Sequence, residues 1–154
     1  MSLSKWFAKS EIPQPADDRR LRILTVSISR EDAYLLEFLE EQEEWEVKST
    51  YSPREAFELT SCGAFDVILC NRNQPGYPWR EVMDRLAASS PDSCIFLVSP
   101  IKDDYLWCDV LSHGGFDVLI RPFRSESVAR TINQRRVANL GRVECRAEEA
   151  SSKY

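Results

Sequence analysis

The sequence has little of what enzymes commonly use for acid–base or metal chemistry. A single histidine, His113, occurs among 154 residues, next to Gly114 at a predicted helix end, where capping is a more common role than catalysis. The five cysteines have no close pairing, which excludes the usual zinc motifs; they are residues 62, 70, 94, 108 and 145. No nucleophile with an adjacent base can be recognised, so we expect neither an enzyme nor a bound metal or cofactor.

Long apolar runs are also missing. No stretch approaches the length that spans a membrane and no signal-peptide pattern is present, so the unpaired cysteines favour a reducing cytoplasm. A net charge of −5, with 43% hydrophobic and 29% charged residues, is typical of a globular domain rather than a chain built mainly for nucleic acid. Arginines are concentrated in residues 121–146, but without the interleaved aromatics of nucleic-acid sites, so nucleic-acid binding is a minor alternative.

What the sequence does contain is a regular alternation of short apolar runs and amphipathic segments. The apolar runs predict strands, and the segments between them predict helices because their apolar residues recur at helical spacing. The predicted strands cover 21–27, 45–51, 65–70, 94–99 and 116–120, and the predicted helices 30–42, 52–63, 79–89, 101–115 and 125–140. This alternation is typical of parallel strands joined by right-handed crossovers, so the predicted fold is α/β with a doubly wound sheet.

One folded domain accounts for most of the chain. Residues 1–20 are predicted to be a flexible leader, residues 21–140 the folded domain, and residues 141–154 a polar tail. The second predicted helix has the clearest local signals, with Ser52 as its N-cap, Pro53 at its first position and Gly63 at its end.

The candidate functional residues follow from the fold class. In doubly wound sheets, ligands bind beyond the carboxyl ends of the strands. The residues at those ends form the candidate pocket, and they are Ser27, Ile28, Asn71, Ser99 and Arg121. Asn71 opens the loop after the third strand, yet its neutral amide has little chemistry of its own.

Four motifs in residues 21–140 resemble the receiver domain of two-component response regulators. They are "RILTVS" as first strand, "FDVILCNRNQPG" as third strand with a proline four residues beyond Asn71, "IFLVS" as fourth strand, and "GGFDVLIRPF" as fifth strand. The resemblance implies a flavodoxin-like (βα)5 fold with a five-stranded sheet in the order 2-1-3-4-5. It also implies a signalling module of a phosphorelay.

The resemblance assigns roles to the pocket positions, and most of the family's residues are absent. Receivers carry an acidic pair where Ser27 and Ile28 stand, a phosphoacceptor aspartate at Asn71, a hydroxyl at Ser99 and a lysine at Arg121. Magnesium is usually held by carboxylates, and an amide is a poor nucleophile, so Asn71 is not expected to form an acyl phosphate. The chain therefore resembles a pseudo-receiver, a degenerate member that signals without phosphorylation.

Two interpretations of the remaining charges are open. Glu31 and Asp32 could act as a shifted acidic pair, although their spacing places them in the first turn of a helix, where acids favour the positive end of the dipole. Arg121 and Arg72 could contact an anion, or Arg121 could hydrogen-bond Asn71 and nearby carbonyls. The family's aromatic switch residue corresponds to Val118, which cannot change rotamer in the same way.

The fourth predicted helix is the candidate interaction surface. Six of the seven residues in 105–111 are apolar or aromatic, more than one buried stripe requires. We expect Tyr105, Trp107 and Leu111 to contact a partner, or the segment around Trp6 and Phe7 to cover them. The resemblance implies a histidine kinase, a regulator or a second copy as partner, with a homodimer through the fourth helix, fifth strand and fifth helix. A flavodoxin-like small-ligand or anion-binding domain is the alternative function, although "VSISRED" has no glycine to admit a phosphate.

Overall fold

The computed structural model describes residues 20–101, 103–121 and 123–134. Predictions for the leader, the tail and the end of the last helix lie outside this part of the chain. The strands are β1 (Leu21–Val26), β2 (Trp45–Thr50), β3 (Val67–Asn71), β4 (Cys94–Ser99) and β5 (Asp117–Ile120). They form one parallel sheet in the order β2-β1-β3-β4-β5, which confirms the predicted flavodoxin-like fold and strand order.

A helix follows each strand. They are α1 (Ala33–Glu41), α2 (Pro53–Cys62), α3 (Trp79–Ser89), α4 (Asp104–Ser112) and α5, which is described over 125–134. In α2 the Ser52 hydroxyl accepts a hydrogen bond from the Glu55 amide at 3.3 Å, and the helix ends before Gly63, as its local signals predict. None of the described helices is long and apolar enough to cross a membrane.

The sheet separates two apolar cores because successive side chains of a strand point to opposite faces. On one face α2, α3 and α4 pack against strand residues such as Leu24, Ile68 and Leu97. On the other face α1 and α5 cover residues such as Leu69 and Phe96. All five residues of β3 are buried, as expected of a central strand covered on both sides.

Two of the predicted helices begin later than expected. The segment predicted to start a helix at residue 30 first forms a 3-10 turn over Arg30–Asp32, in which the Asp32 amide donates to the Ser29 carbonyl. This turn directs the Asp32 side chain inward, where it is buried. The fourth helix starts at Asp104, because the Asp103 carboxylate accepts from the Tyr105 amide at 2.9 Å and caps the helix.

The end of α4 depends on two consecutive glycines. Gly114 has φ +82°, a left-handed conformation that other residues adopt at a cost. A Cβ on Gly115 would overlap Met83 of α3 and Val110 of α4. The two glycines therefore stop the helix and let the chain enter β5 in close contact with the core.

Candidate functional site

The carboxyl edge of the sheet brings the predicted pocket residues together. The Asn71 side-chain amide donates to the Ser27 carbonyl at 2.8 Å, and this contact links the ends of β3 and β1. The Arg121 backbone N–H donates to the Ser99 carbonyl at 3.1 Å and links the ends of β5 and β4. Ile28, at the other acidic-pair position, is 7% exposed and belongs to the apolar core beneath α1 and α5.

Asn71 uses both ends of its amide for structure. It is 3% exposed; its Nδ2 donates to Ser27, and its Oδ1 accepts from the Asn73 amide at 3.2 Å. Ser27 has φ +58°, so Asn71 holds a residue in the left-handed region, which costs a non-glycine residue conformational energy. A carboxylate cannot donate a hydrogen bond, so aspartate could not make the contact to Ser27.

Ser99 is fully buried and its hydroxyl is engaged locally. The Oγ accepts from the Ile101 amide at 3.3 Å and from the Arg72 guanidinium at 3.3 Å, and it donates to the Ile101 carbonyl at 3.1 Å. The hydroxyl position that the resemblance assigns to phosphate contact therefore shapes the turn after β4.

Arg121 makes an ion pair that the sequence did not reveal. Its guanidinium lies 2.5 Å from the Asp32 carboxylate and also donates to the Ser29 hydroxyl at 3.3 Å. The Ser29 hydroxyl in turn donates to Asp32 at 3.3 Å. Asp32 is 2% exposed and Arg121 20%, so little water screens the pair. This pair is the main electrostatic feature of the pocket.

The Asp32–Arg121 ion pair affects two predictions: that Glu31 and Asp32 form a shifted acidic pair, and that Arg121 and Arg72 contact an anion. The Asp32 carboxylate faces Arg121, and among the described residues no three His, Cys, Asp or Glu side chains are grouped to hold a metal. Asp32 already compensates the Arg121 charge, and Arg72 contacts Ser99. The anion contact of Arg121 and Arg72 stays a prediction, and this geometry weighs against it because an anion would have to displace Asp32.

Gln74 is a site residue that the sequence analysis missed. Its Nε2 donates to the Asn71 carbonyl at 2.7 Å and to the Cys70 sulfur at 3.0 Å, while its buried Oε1 has no hydrogen-bond partner among the described residues. Burial raises the pKa of the Cys70 thiol to about 12, so Cys70 stays protonated and unreactive at neutral pH. Nothing in the sequence marks Gln74, because loop glutamines usually face solvent.

The three residues of the predicted interaction surface on α4 are exposed, but they lie on two different sides of the helix. Tyr105 is 84% exposed, Trp107 48% and Leu111 42%. At 100° per residue, Asp104, Trp107 and Leu111 fall within about 60° on one side of the helix, whereas Tyr105 lies about 160° away from Trp107. We call Asp104, Trp107 and Leu111 the open flank. Tyr105 belongs to a different side of α4.

The opposite side of α4 is fastened to α3. Arg80 donates to the Asp109 carboxylate at 2.8 Å, and the His113 ring lies 2.7 Å from Asp84 and 3.4 Å from Asp109. The hydrogen bond from Arg80 holds the pKa of Asp109 below its usual range. His113 is also the C-cap residue of α4, and its N–H donates to the Asp109 carbonyl at 3.2 Å, as its position beside Gly114 predicts.

A hollow with both apolar and polar lining lies at the β5 edge of the sheet. β5 is an edge strand, and a surface cavity of about 270 Å³ lies along it and α5. The lining includes Val118, Ile120, Phe123 and Val128. Val118 packs against the core beneath α4, and Ile120, two residues further, points to the same face of the sheet.

The strand order and the placement of the candidate residues at the carboxyl edge define the class of fold as CheY-like, the α/β fold of receiver domains. The signal receiver domain of an HD domain-containing protein from Pseudomonas fluorescens superposes with a TM-score of 0.73 and 16% identity, over 86% of this chain and 98% of that one. A CheY-like response regulator receiver domain protein from Methanospirillum hungatei gives 0.72 and 15%, over 80% and 98%.

A third solved structure has a different description. A chain described as an adenylate cyclase from Rhodopirellula baltica superposes with a TM-score of 0.71 and 21% identity, over 86% of this chain and 98% of that one. No protein-family model matches the sequence, and no curated protein matches it. At these identities the structural likeness establishes the fold.

Proposed function

We propose that this chain is a pseudo-receiver, a signalling module of the two-component type that is not phosphorylated and acts through protein–protein contacts. Receiver domains with the same fold support the two-component assignment. The observation that carries the loss of phosphorylation is the hydrogen bond from the Asn71 amide to the Ser27 carbonyl. The residue at the acceptor position donates to the backbone, and it has no carboxylate to accept a phosphoryl group.

Phosphorylation can be tested directly. Incubating the purified chain with acetyl phosphate and magnesium should leave its intact mass unchanged, because Asn71 offers no nucleophile and the described residues contain no group of three His, Cys, Asp or Glu side chains that could hold the metal. A receiver that retains its acceptor aspartate, treated in parallel, should gain one phosphoryl group. A gain in this chain that disappears on Asn71→Ala substitution would overturn the proposal.

The proposed partner is another protein of the same signalling type: a histidine kinase, a regulator or a second copy. The open flank and the hollow along β5 and α5 support this, because they leave large apolar side chains exposed at one edge of the molecule. The proposed homodimer uses α4, β5 and α5. The proposal places the chain in the cytoplasm and assigns it no catalytic activity.

A further inference from the structure

The open flank is apolar along most of its length and acidic at one end. Asp104, Trp107 and Leu111 follow one another at helical spacing, and Asp103 lies next to Asp104 at the start of α4. The contacts of Arg80 and His113 occupy the α3 side of the helix, so the flank is the side that faces the β5 edge. A ligand that fits here combines apolar groups with positive charge.

The first ten residues of the chain have this composition. Leu3, Trp6 and Phe7 supply large apolar side chains within this short stretch. Lys5 and Lys9 are the only charged residues in positions 1–10. The opposing flank carries two aspartates, Asp103 and Asp104, at the start of α4. The two segments are therefore complementary in both apolar character and charge.

The topology brings the start of the domain to the correct edge of the sheet. β4 ends at the carboxyl edge and β5 begins at the amino edge, so α4 returns toward the amino edge and Leu111 lies near it, as Leu21 of β1 does. Three strand spacings separate β1 from β5, about 15 Å. Residues 8–19 include Pro13 and Pro15, and an extended chain of this length spans about 37 Å at the polyproline rise.

We propose that residues 3–9 of the same chain bind the open flank, with Trp6 and Phe7 against Trp107 and Leu111. In this proposal the leader covers the surface that binds a partner and so regulates partner binding. This regulatory role rests on the proposed function. A tethered segment acts at an effective concentration in the millimolar range, so a weak contact suffices to compete with a partner. Partner binding then requires the leader to leave the flank.

Amide NMR of the full chain tests the contact. Relative to wild type, Trp6→Ala/Phe7→Ala should shift the amide resonances of residues 104–112 and 117–120. The matched control Ser4→Ala/Ser10→Ala should leave them in place. Lys5→Glu/Lys9→Glu should shift the same resonances in the same direction by a smaller amount, because it removes only the charge attraction. Unchanged resonances in these residues would overturn the proposal.

Two further measurements separate the contact from the proposed function. The difference in shifts between wild type and Trp6→Ala/Phe7→Ala should persist at concentrations where sedimentation shows both to be monomeric, because the leader and the flank belong to one molecule. Loss of the difference in the monomer would assign the leader to a second copy and contradict the proposal. Self-association measured by sedimentation should rise severalfold in Trp6→Ala/Phe7→Ala. If Trp107→Ala/Leu111→Ala abolishes association while the leader variants change nothing, the proposed function stands and the leader contact fails.

Discussion

At the scale of single residues, the polar side chains of the pocket make structural hydrogen bonds and an ion pair with one another and with the backbone. Asn71 supports the left-handed Ser27, and Asp32 neutralises Arg121 at the edge where receivers carry acids. Both contacts are buried, so each is stronger than the same contact in water and more costly to break. The two contacts therefore fix one arrangement of the strand ends.

Asn71→Asp should destabilise the fold and not restore phosphorylation. The new carboxylate would face the Ser27 carbonyl without a hydrogen to donate, and an unsatisfied buried contact costs about 1–3 kcal/mol, more when charged. Urea denaturation measures this loss. Asn73→Asp, the same change at an exposed position two residues away, should have little effect. Equal stability of the two variants would show that the Asn71 amide has no structural role.

Asp32→Asn should destabilise the fold strongly, because Asp32 is a buried, charged residue of the 3-10 turn before α1. It leaves the Arg121 guanidinium without its carboxylate, and breaking a buried pair in this way costs about 3–5 kcal/mol; we expect the lower end because Arg121 reaches solvent. Glu40→Gln on the exposed side of α1 is the matched control and should change stability by less than about 0.5 kcal/mol. In a double-mutant cycle with Arg121→Gln, additive losses would contradict a direct pair.

At the scale of elements, α4 is fastened on one side and open on the other. Arg80, Asp84, Asp109 and His113 join it to α3, and Gly115 brings its end against the core. Trp107 and Leu111 on the far side have no such support. A helix fixed in this way presents its free side in a constant orientation, which suits recognition by a partner or by the leader.

The link between α3 and α4 should weaken in acid. The folded-state pKa of Asp109 is lowered by the Arg80 hydrogen bond, so its contribution to stability is present above the unfolded pKa of about 3.9 and is lost as the pH falls through the folded value. Because both side chains of the pair are partly exposed, solvent screens the interaction and the loss should be small. Unfolding measured against pH should show this loss in wild type and not in Asp109→Asn; identical acid profiles would contradict it.

At the scale of the whole molecule, the sheet separates a closed pocket from an open edge. The carboxyl ends of the strands are closed by Asn71, Ser99 and the Asp32–Arg121 pair, whereas Trp107 and Leu111 are exposed on the side of α4 that faces β5. Under the proposed function, occupancy of the surface conveys the signal. The proposed partner contact and the proposed leader contact both use that surface.

Trp107→Ala/Leu111→Ala should weaken partner binding at least tenfold. Both side chains lie on the open flank, and truncating a central tryptophan of an interface typically costs about 2 kcal/mol or more. Sedimentation measures this for the homodimer, and titration calorimetry for a histidine kinase. Tyr105→Ala, on the other side of α4, is the control. A larger loss in the control than in the flank variant would place the partner on the α3 side.

The sequence by itself determined the fold and, through the family resemblance, its strand order. These follow from local signals: apolar period, the Ser52 cap and the two glycines after α4. Only the tertiary structure decided that Asp32 pairs with Arg121, that Gln74 supports Asn71, and that Tyr105 is separated from Trp107 and Leu111. Such contacts join residues far apart in the chain or depend on a single 3-10 turn. Hydrophobic periodicity predicts the helix or strand to which a residue belongs. Which charged partner its side chain contacts depends on burial and orientation in the folded chain.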